Sequence, residues 1–265
     1  MKRFHWINIL IILGGTVALV NYVPQNQANQ EQKLNPEQAN QEQKSNPEQA
    51  NEKQTFQKQA LGFFHTVNFN TPGTLHISQG EESVFTIEAE PKILSLIDAS
   101  VANQELNIRL KDTSVHIKSP VNYYLKIKTL KAVNSYADSI INVDGLETKV
   151  FSISLFSGFA EAHLKLDVTK LMCKIVGAGK IDAVGVADEQ ELSINGIGEF
   201  DGKNLKSKLI KVNISGSGIA KLNASEDLLV KIVGSGTVGY CDKPNISKEI
   251  TGNGSVLALN PEECK

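Results

Sequence analysis

The sequence has few of the residues from which catalytic and metal sites are usually built. Its 265 residues include only 5 histidines and 3 cysteines. The histidines are scattered, and no two of them have the spacing of metal ligands. His76 and His116 lie in alternating, strand-like segments, which favours a surface position for both. We therefore expect no catalytic residues, no cofactor and no dedicated metal site.

Motifs with a known chemistry are also absent. No Gly-x-Ser-x-Gly elbow occurs, and the Gly-x-Gly strings precede strand-like residues, whereas a dinucleotide site needs a helix there. The calcium-binding nonapeptide of other β-helices is missing. The net charge is −2 and no basic stripe carries interleaved aromatic residues, so the sequence predicts no nucleic-acid partner.

What the sequence does contain is a repeated motif in which two small residues stand two positions apart. The clearest copies are Ile175–Gly179, Ile194–Gly198, Ile214–Gly218, Ile232–Gly236 and Ile250–Gly254, and two degenerate copies lie around Ala137 and Gly158. The second small residue returns after about 20 residues each time, which is typical of stacked repeat proteins. The repeat therefore predicts a solenoid.

Within each copy every second residue is apolar or small, which is typical of strands with one buried face. No copy has the apolar spacing of a helix. Stacking predicts three inward columns: Val133, Ile175, Ile194, Ile214, Ile232 and Ile250; Ile181, Phe200, Ala220, Val238 and Val256; and the small residues Ala137, Gly158, Gly179, Gly198, Gly218, Gly236 and Gly254. We expect an all-β fold with six or seven parallel turns over residues 130–258.

Short β-prone segments separated by turn signals precede the repeats, and we assign them to the same domain, residues 61–265. These segments are Phe64–Phe69, Thr74–Ser78, Ser83–Glu90, Glu105–Leu110, Ser114–Lys118 and Tyr123–Lys128. Because a solenoid needs its open ends covered, we expect them to form an N-terminal cap layer of strands.

Residues 1–23 have the features of a targeting segment. Lys2 and Arg3 precede an uncharged apolar run from Ile9 to Val20. This run suits a cleaved signal peptide, and residues 7–23 reach the short limit of a membrane-spanning anchor. Both alternatives stay open here, and both predict export of the remaining chain to the periplasm or cell surface.

Residues 24–60 are of low complexity. An 11-residue unit that begins at Gln27 is repeated almost unchanged from Gln38. Leu34 is the only large apolar residue in the two copies, and each copy contains a helix-interrupting proline. The segment therefore predicts a disordered tether, which favours the anchor over the cleaved signal peptide.

The order of these features resembles a known family. The lead-in Phe64–Ile77, the strand Phe85–Ala89, the phrase Asn103–Ile108, the stretch Tyr124–Lys131 and the Ile-x-Gly-x-Gly repeats are similar to the head GIN domain family of auto-transporter adhesins. The likeness covers roughly residues 63–257. It implies a right-handed parallel β-helix-like domain at the bacterial cell envelope, and it supplies no active-site residues.

Three acidic residues occupy equivalent places in successive copies. Glu161, Asp182 and Asp201 each lie three residues beyond the second small residue, so we expect an outward column with about 4.8 Å between turns. One interpretation is a solvated face with neighbouring lysines. The other is a cation site or the acidic ladder of a carbohydrate-active enzyme. No arginine follows Arg109, so a carboxylated sugar would have to be bound by lysine, which weakens the enzyme alternative.

Apolar residues at outward positions predict a contact surface near the glycine pairs. Its members are Leu155, Phe159, Ile197 and Ile219, with Val176, Ala178 and Val233 nearby. Exposed contiguous apolar surface usually marks an interaction site. We favour the alternative interpretation, in which a layer formed by residues 64–128 covers it.

The three cysteines have different predicted roles. Cys173 has inward parity and is expected to be a buried free thiol. Cys241 follows the last full repeat and Cys264 lies near the C-terminus, so an oxidising compartment would allow them to form a disulfide. Such a bridge would fasten the tail over the final turn.

Together these features predict a non-enzymatic binding module of the cell envelope, with a protein or a glycan as its partner. The membrane would be a further partner through residues 7–23 if this segment is not cleaved. An envelope scaffold and a carbohydrate-active enzyme are the two alternatives.

Overall fold

The computed structural model describes residues 7–13, 16–22, 55–59 and 61–264. The chain divides into two compact units, residues 1–51 and 52–265. In the first unit, strands β1 (Ile7–Leu13) and β2 (Thr16–Tyr22) pair antiparallel. Among the described residues, no helix is both long and apolar enough to cross a bilayer. Cleavage or retention of the targeting segment stays a prediction, and most of the predicted linker lies outside the described residues.

The described residues of the second unit form one short helix and sixteen strands. The helix is α1 (Pro91–Leu94), and the strands are β3 (Thr55–Gln59), β4 (Thr66–Asn70), β5 (Gly73–Gln79), β6 (Val84–Ala89), β7 (Ile97–Ala102), β8 (Glu105–Leu110), β9 (Asn122–Ile127), β10 (Ala132–Ser135), β11 (Ser139–Leu155), β12 (Glu161–Gly177), β13 (Lys180–Gly196), β14 (Glu199–Gly216), β15 (Ile219–Gly234), β16 (Thr237–Cys241), β17 (Asn245–Thr251) and β18 (Ser255–Ala258).

Parallel pairing from β10 to β18 builds a β-solenoid of about 6 turns, which confirms the predicted fold class. Strands β11 to β15 are each 16–18 residues long. Each of them leaves one small-residue pair and ends at the next. We call the bend that contains this pair the glycine corner.

Two different constraints select glycine at the corner. Gly216 has φ +123°, in the left-handed region that residues with a side chain rarely adopt. Gly218 has an ordinary φ, but an added Cβ would lie 2.5 Å from Ile194 Cγ2 and 3.1 Å from the carbonyl oxygen of Gly198. The same close approach recurs at Gly198, Gly236 and Gly254. The small-residue column is therefore confirmed from Gly179 to Gly254.

The register of the first two copies differs from the sequence prediction. On the preceding turn, Ala160 occupies the position of Gly179, because the next residues, Glu161 and Lys180, pair with each other. One turn earlier Ser139 occupies it, because Ile140 pairs with Glu161. Gly158 and Ala137 were assigned to this place wrongly. The physical reason at Gly158 is that its corner, residues 156–160, is one residue longer than the corner at residues 176–179.

The isoleucine column needs the same correction at its start. Ser135 and Leu155 stand in register with Ile175. Val133 lies two residues earlier, in register with Ile153 and Cys173, in a neighbouring inward column. The second predicted column is confirmed, since Ile181, Phe200, Ala220, Val238 and Val256 follow one another in the pairing.

Several of the N-terminal strands belong to the parallel stack itself and do not form a separate cap layer. β4 and β5 pair parallel with β10 and β11, and β8 and β9 pair parallel with β4 and β5 in turn. This end is closed by antiparallel strands: β6 pairs with β9, β7 pairs with β8, and β3 pairs with β6. The sequence missed β7 and α1, predicted a strand at Ser114–Lys118 that the structure lacks, and placed β3 inside the linker.

The interior of these first turns is aromatic. Phe69 and Tyr123 meet edge to face with ring centroids 5.0 Å apart, and the ring of Phe85 stacks with that of Tyr123 at a centroid distance of 6.4 Å. The hydroxyl of Tyr123 lies 3.0 Å from the Thr71 hydroxyl, so the phenol keeps a hydrogen-bond partner in the core. Burial raises the pKa of Tyr123 to about 12.

The C-terminal end is closed differently. β17 pairs with β15 and β18 with β16, and their outer edges have no strand partner among the described residues. Lys248 stands in register with the buried Val230, so a charge occupies an inward column of the edge strand. Inward charges on edge strands oppose further strand addition.

A disulfide between Cys241 and Cys264 fastens the tail at this end, with Cα atoms 5.8 Å apart. These are the two cysteines that the sequence suggested as a pair. Cys173 is a buried free thiol, and burial raises its pKa.

Candidate functional site

Two outward faces flank the glycine corner. The incoming face consists of the outward side chains of the segments that enter the corner, residues 152–156, 172–176, 191–195, 211–215 and 229–233. The outgoing face consists of those that leave it, residues 161–165, 180–184, 199–203 and 219–223. Because strands stack about 4.8 Å apart, side chains on both faces form regular ladders.

The acidic column on the outgoing face is shorter than predicted. Asp182 and Asp201 are register neighbours, but the residue next to Asp182 on the other side is His163. Glu161 lies two residues away, in register with Lys180. The expectation of a three-carboxylate column is therefore wrong at Glu161, because the longer corner before it shifts the register.

Basic side chains of the protein already accompany these carboxylates. Asp182 has His163 Nδ1 at 3.2 Å and Lys180 Nζ at 3.3 Å, and Asp201 has Lys203 Nζ at 3.9 Å. The carboxylate of Asp182 raises the pKa of Lys180. In the part of the chain that the structure describes, no group of three or more His, Cys, Asp or Glu residues could hold a metal ion. The arrangement resembles the solvated face that the sequence allowed.

The predicted apolar contact surface divides into one buried and three exposed residues. Leu155 is 0% exposed because it occupies the isoleucine column, so its assignment to the surface was wrong. Phe159, Ile197 and Ile219 are 80%, 67% and 42% exposed. These three side chains remain open to solvent, so the strands of residues 64–128 do not cover them.

An aromatic pair that the sequence interpretation missed extends this corner surface. Tyr136 and Phe156 stack with centroids 5.0 Å apart and ring planes 9° apart, and both rings are partly exposed. Lys174 Nζ lies 5.4 Å from the Phe156 centroid. With the correct register, the sequence would have placed these residues side by side on adjacent turns.

A groove crosses the strands of the incoming face. It consists of two adjoining depressions of about 520 and 300 Å³, which share Lys211 and Asn213 at their junction. Ser152, Ser154 and Ser193 line the larger one, and their short side chains leave space between the longer Lys174 and Lys211. The groove extends over several turns because equivalent positions stack in register.

The charges in the groove are unevenly compensated. Glu191 accepts a 2.6 Å hydrogen bond from Lys170, which holds the pKa of that carboxyl below its usual range. Glu249 at the far end is paired with Lys231 at 2.9 Å. Lys174 and Lys211 in the larger depression and Lys248 in the smaller one have no ion-pair partner within the described residues. The groove therefore offers three ammonium groups and several neutral hydrogen-bonding groups to a ligand.

Comparison with known proteins assigns the solenoid to a family. Residues 63–244 match the family described as "Putative auto-transporter adhesin, head GIN domain". A comparison with curated protein sequences finds no match.

Solved structures with the same fold come from Bacteroides and Parabacteroides species. A "putative adhesin" from Bacteroides fragilis NCTC 9343 is 20% identical with a TM-score of 0.73, over 78% of this chain and 97% of that chain. A "putative adhesin" from Parabacteroides merdae ATCC 43184 is 19% identical with a TM-score of 0.64, over 79% and 98%. A "Putative lipid binding protein" from Parabacteroides distasonis ATCC 8503 is 20% identical with a TM-score of 0.63, over 79% and 98%. At these identities the likeness shows the fold, and the sequence match shows the family. The chain therefore belongs to the head GIN domain family of auto-transporter adhesins.

Proposed function

We propose that the protein is a non-enzymatic adhesion domain of the bacterial cell envelope, which binds a protein or a glycan through the outer surface of its solenoid. The observation that carries this proposal is the surface itself. A rigid parallel stack presents ladders of side chains on two faces and exposed Phe159 and Ile197 at the corner between them. Regular, pre-organised surfaces of this kind suit extended partners, since little ordering entropy is lost on binding.

The N-terminal part of the sequence supports a location outside the cytoplasm. The charged start, the apolar run and the repeated polar linker fit export followed by retention near a membrane. A flexible linker would lift the domain clear of that surface. We propose that residues 7–23 act as the anchor, and the disulfide between Cys241 and Cys264 suits an oxidising compartment.

Adhesion can be tested with beads that carry the full-length chain. The beads are exposed to arrays of immobilised glycans and extracellular matrix proteins, with beads that carry an unrelated β-rich protein as the control. We expect saturable adhesion to a restricted set of targets. Adhesion to none of them, or release of new reducing ends from a bound polysaccharide, would contradict a non-enzymatic adhesion domain.

Variants of the three surfaces would locate the contact. Phe159→Ser with Ile197→Ser alters the corner, Ser193→Tyr fills the incoming groove, and Lys165→Gln with Lys221→Gln alters the outgoing face. Each changes exposed or partly exposed positions, so the fold should persist. Adhesion should fall strongly for one of these surfaces and little for the others, and an equal response of all three would indicate nonspecific sticking.

A further inference from the structure

We infer that the groove on the incoming face binds an acidic glycan, with the sugar chain lying across the stacked strands. This inference rests on the proposed function and specifies its ligand. It starts from Lys174 and Lys211, the two lysines that line the larger depression, neither of which has a carboxylate within ion-pair distance among the described residues. A ligand that enters the groove therefore gains most if it brings negative charge.

The shape of the groove indicates a linear polymer. The larger depression of about 520 Å³ continues into the smaller one of about 300 Å³ at Lys211 and Asn213. A compact ligand would need only one of them. An extended chain of sugar rings can occupy both, because its length increases along one direction while its width stays that of one ring.

The chemistry of the lining suits sugar rings. Ser152, Ser154, Ser193 and Asn213 provide hydroxyl and amide groups, which can both donate and accept hydrogen bonds to sugar hydroxyls. Met172 in the larger depression and Leu229 in the smaller one provide apolar atoms for the C–H face of a ring. Glu191 is held by Lys170, so its charge opposes an anionic ligand less than a free carboxylate would.

The positions of the two lysines suggest which acidic glycan fits. Lys174 pairs with Ser193, and Ser193 pairs with Asn213, the outward neighbour of Lys211 on its strand. The two lysines are therefore two turns apart, roughly 10 Å along the stack, and two residues apart along the strand direction, about 7 Å, so their Cα atoms are separated by about 12 Å. Because lysine side chains are long and flexible, their ammonium groups can reach points separated by the length of a disaccharide. A glycan with a carboxylate on every second sugar would place successive carboxylates at both lysines.

The spacing of carboxylates along the glycan can be tested by isothermal titration calorimetry, in which the full-length chain is titrated with three hexasaccharides. Hyaluronan hexasaccharide has a carboxylate on every second sugar, hexagalacturonate has one on every sugar, and chitohexaose is neutral. We expect hyaluronan hexasaccharide to bind at least as tightly as hexagalacturonate, and chitohexaose to bind more than about tenfold more weakly than either, since charge-assisted contacts are the stronger ones.

Two variants and one control separate the groove from general electrostatics. Lys174→Gln with Lys211→Gln should weaken hyaluronan binding by about tenfold or more. Ser193→Tyr leaves the charge unchanged and should weaken binding by filling the groove. Lys165→Gln with Lys221→Gln removes the same charge from the outgoing face and should change affinity less than about twofold. Unchanged thermal unfolding of the variants would show that the fold is kept.

The outcomes distinguish this inference from the proposed function. Equal loss in both lysine pairs, or binding of chitohexaose as tight as that of hyaluronan, would overturn the inference. So would failure of both acidic hexasaccharides to bind. In each of these cases adhesion of the beads to another target would leave the proposed function intact, whereas absence of any adhesion would contradict the function itself.

Discussion

The first turns of the solenoid and the later turns fill the same cross-section in different ways. In the first turns the interior contains the rings of Phe69, Phe85 and Tyr123. From Ile175 onward it contains a column of isoleucines against a column of glycines, and Ile194 Cγ2 occupies the space that a Cβ at Gly218 would need. The comparison teaches that parallel stacking fixes the backbone spacing, whereas the side chains can fill the interior in either way.

The turn between these two regions combines features of both. Ser135 and Ser139 stand where the later turns have isoleucine and glycine, and their hydroxyl oxygens are 2.7 Å apart. Both side chains are buried. A hydrogen-bonded serine pair thus replaces an apolar contact without leaving either hydroxyl unsatisfied.

The largest effect is expected from emptying the aromatic interior. Phe69→Ala should lower the free energy of unfolding by about 3–5 kcal/mol, because a fully buried ring leaves a cavity that its neighbours cannot fill. Equilibrium urea unfolding measures the change. Phe63→Ala is the matched control, since that ring is 70% exposed, and an equal loss in both would show that ring burial is not the cause.

Loss of the disulfide should affect the opposite end. Cys264→Ser opens a loop with a sequence separation of 23 and should cost about 3 kcal/mol of stability at the C-terminal turns. Hydrogen exchange should show faster exchange in β17 and β18 and unchanged protection in β4 and β8. Uniformly faster exchange along the whole stack would show that the ends are coupled more tightly than neighbour-by-neighbour stacking predicts.

The glycine column can be tested by adding side chains. Gly218→Val should lower the free energy of unfolding by about 2–3 kcal/mol, because the added atoms overlap the side chain of Ile194. Gly158→Val is the control, since no atom lies within 4 Å of its added Cβ, and it should change stability by less than about 0.5 kcal/mol. Similar urea midpoints for the two variants would contradict the packing explanation.

The smallest effect concerns the hydroxyl of Tyr123. Tyr123→Phe should cost about 1 kcal/mol at neutral pH, because it removes the partner of the Thr71 hydroxyl. Burial raises the pKa of Tyr123 from 10.0 to about 12, so its neutral form is favoured in the folded state. The stability that this provides is complete below pH 10 and is lost as the pH rises through about 12.

The variant therefore has a measurable pH signature. Between pH 10 and about 12 the wild-type protein should lose stability more steeply than Tyr123→Phe. Urea unfolding at several alkaline pH values provides the comparison. Parallel curves for the two proteins would show that the phenol is not the group that loses this stability.

The sequence predicts the later turns well because each of them repeats the same local constraint. A positive φ at residues such as Gly216 and a close contact at residues such as Gly218 both demand glycine, so the fold is visible as a period in the sequence. The first turns lack this signal. Ser135 occupies the isoleucine column, and Ser139 and Ala160 occupy the glycine column, so these turns lack the Ile-x-Gly-x-Gly motif. The corner before Glu161 is also one residue longer, which changes the register.

The candidate site was harder to predict for the same reason. Leu155 was assigned outward because its register partner Ile175 was not recognised, and Glu161 was assigned to the place of His163. The groove depends on which residues of successive turns lie side by side, such as Ser154, Lys174 and Ser193. A corner that is one residue longer therefore changes which outward residues lie side by side, whereas most of the predicted inward columns remain correct.

The pairing order of the first turns has a consequence for how the chain can fold. β4 and β5 have β8 and β9 on one side and β10 and β11 on the other, so this early segment is bordered on both sides by later ones. From β11 to β15 each turn pairs with the one synthesised just before it. Each of these pairings closes a loop of only about 20 residues, which costs less chain entropy than pairing with a more distant turn would. A chain that emerges N-terminus first could therefore complete its first turns, add each later turn as it appears, and close the bond between Cys241 and Cys264 last.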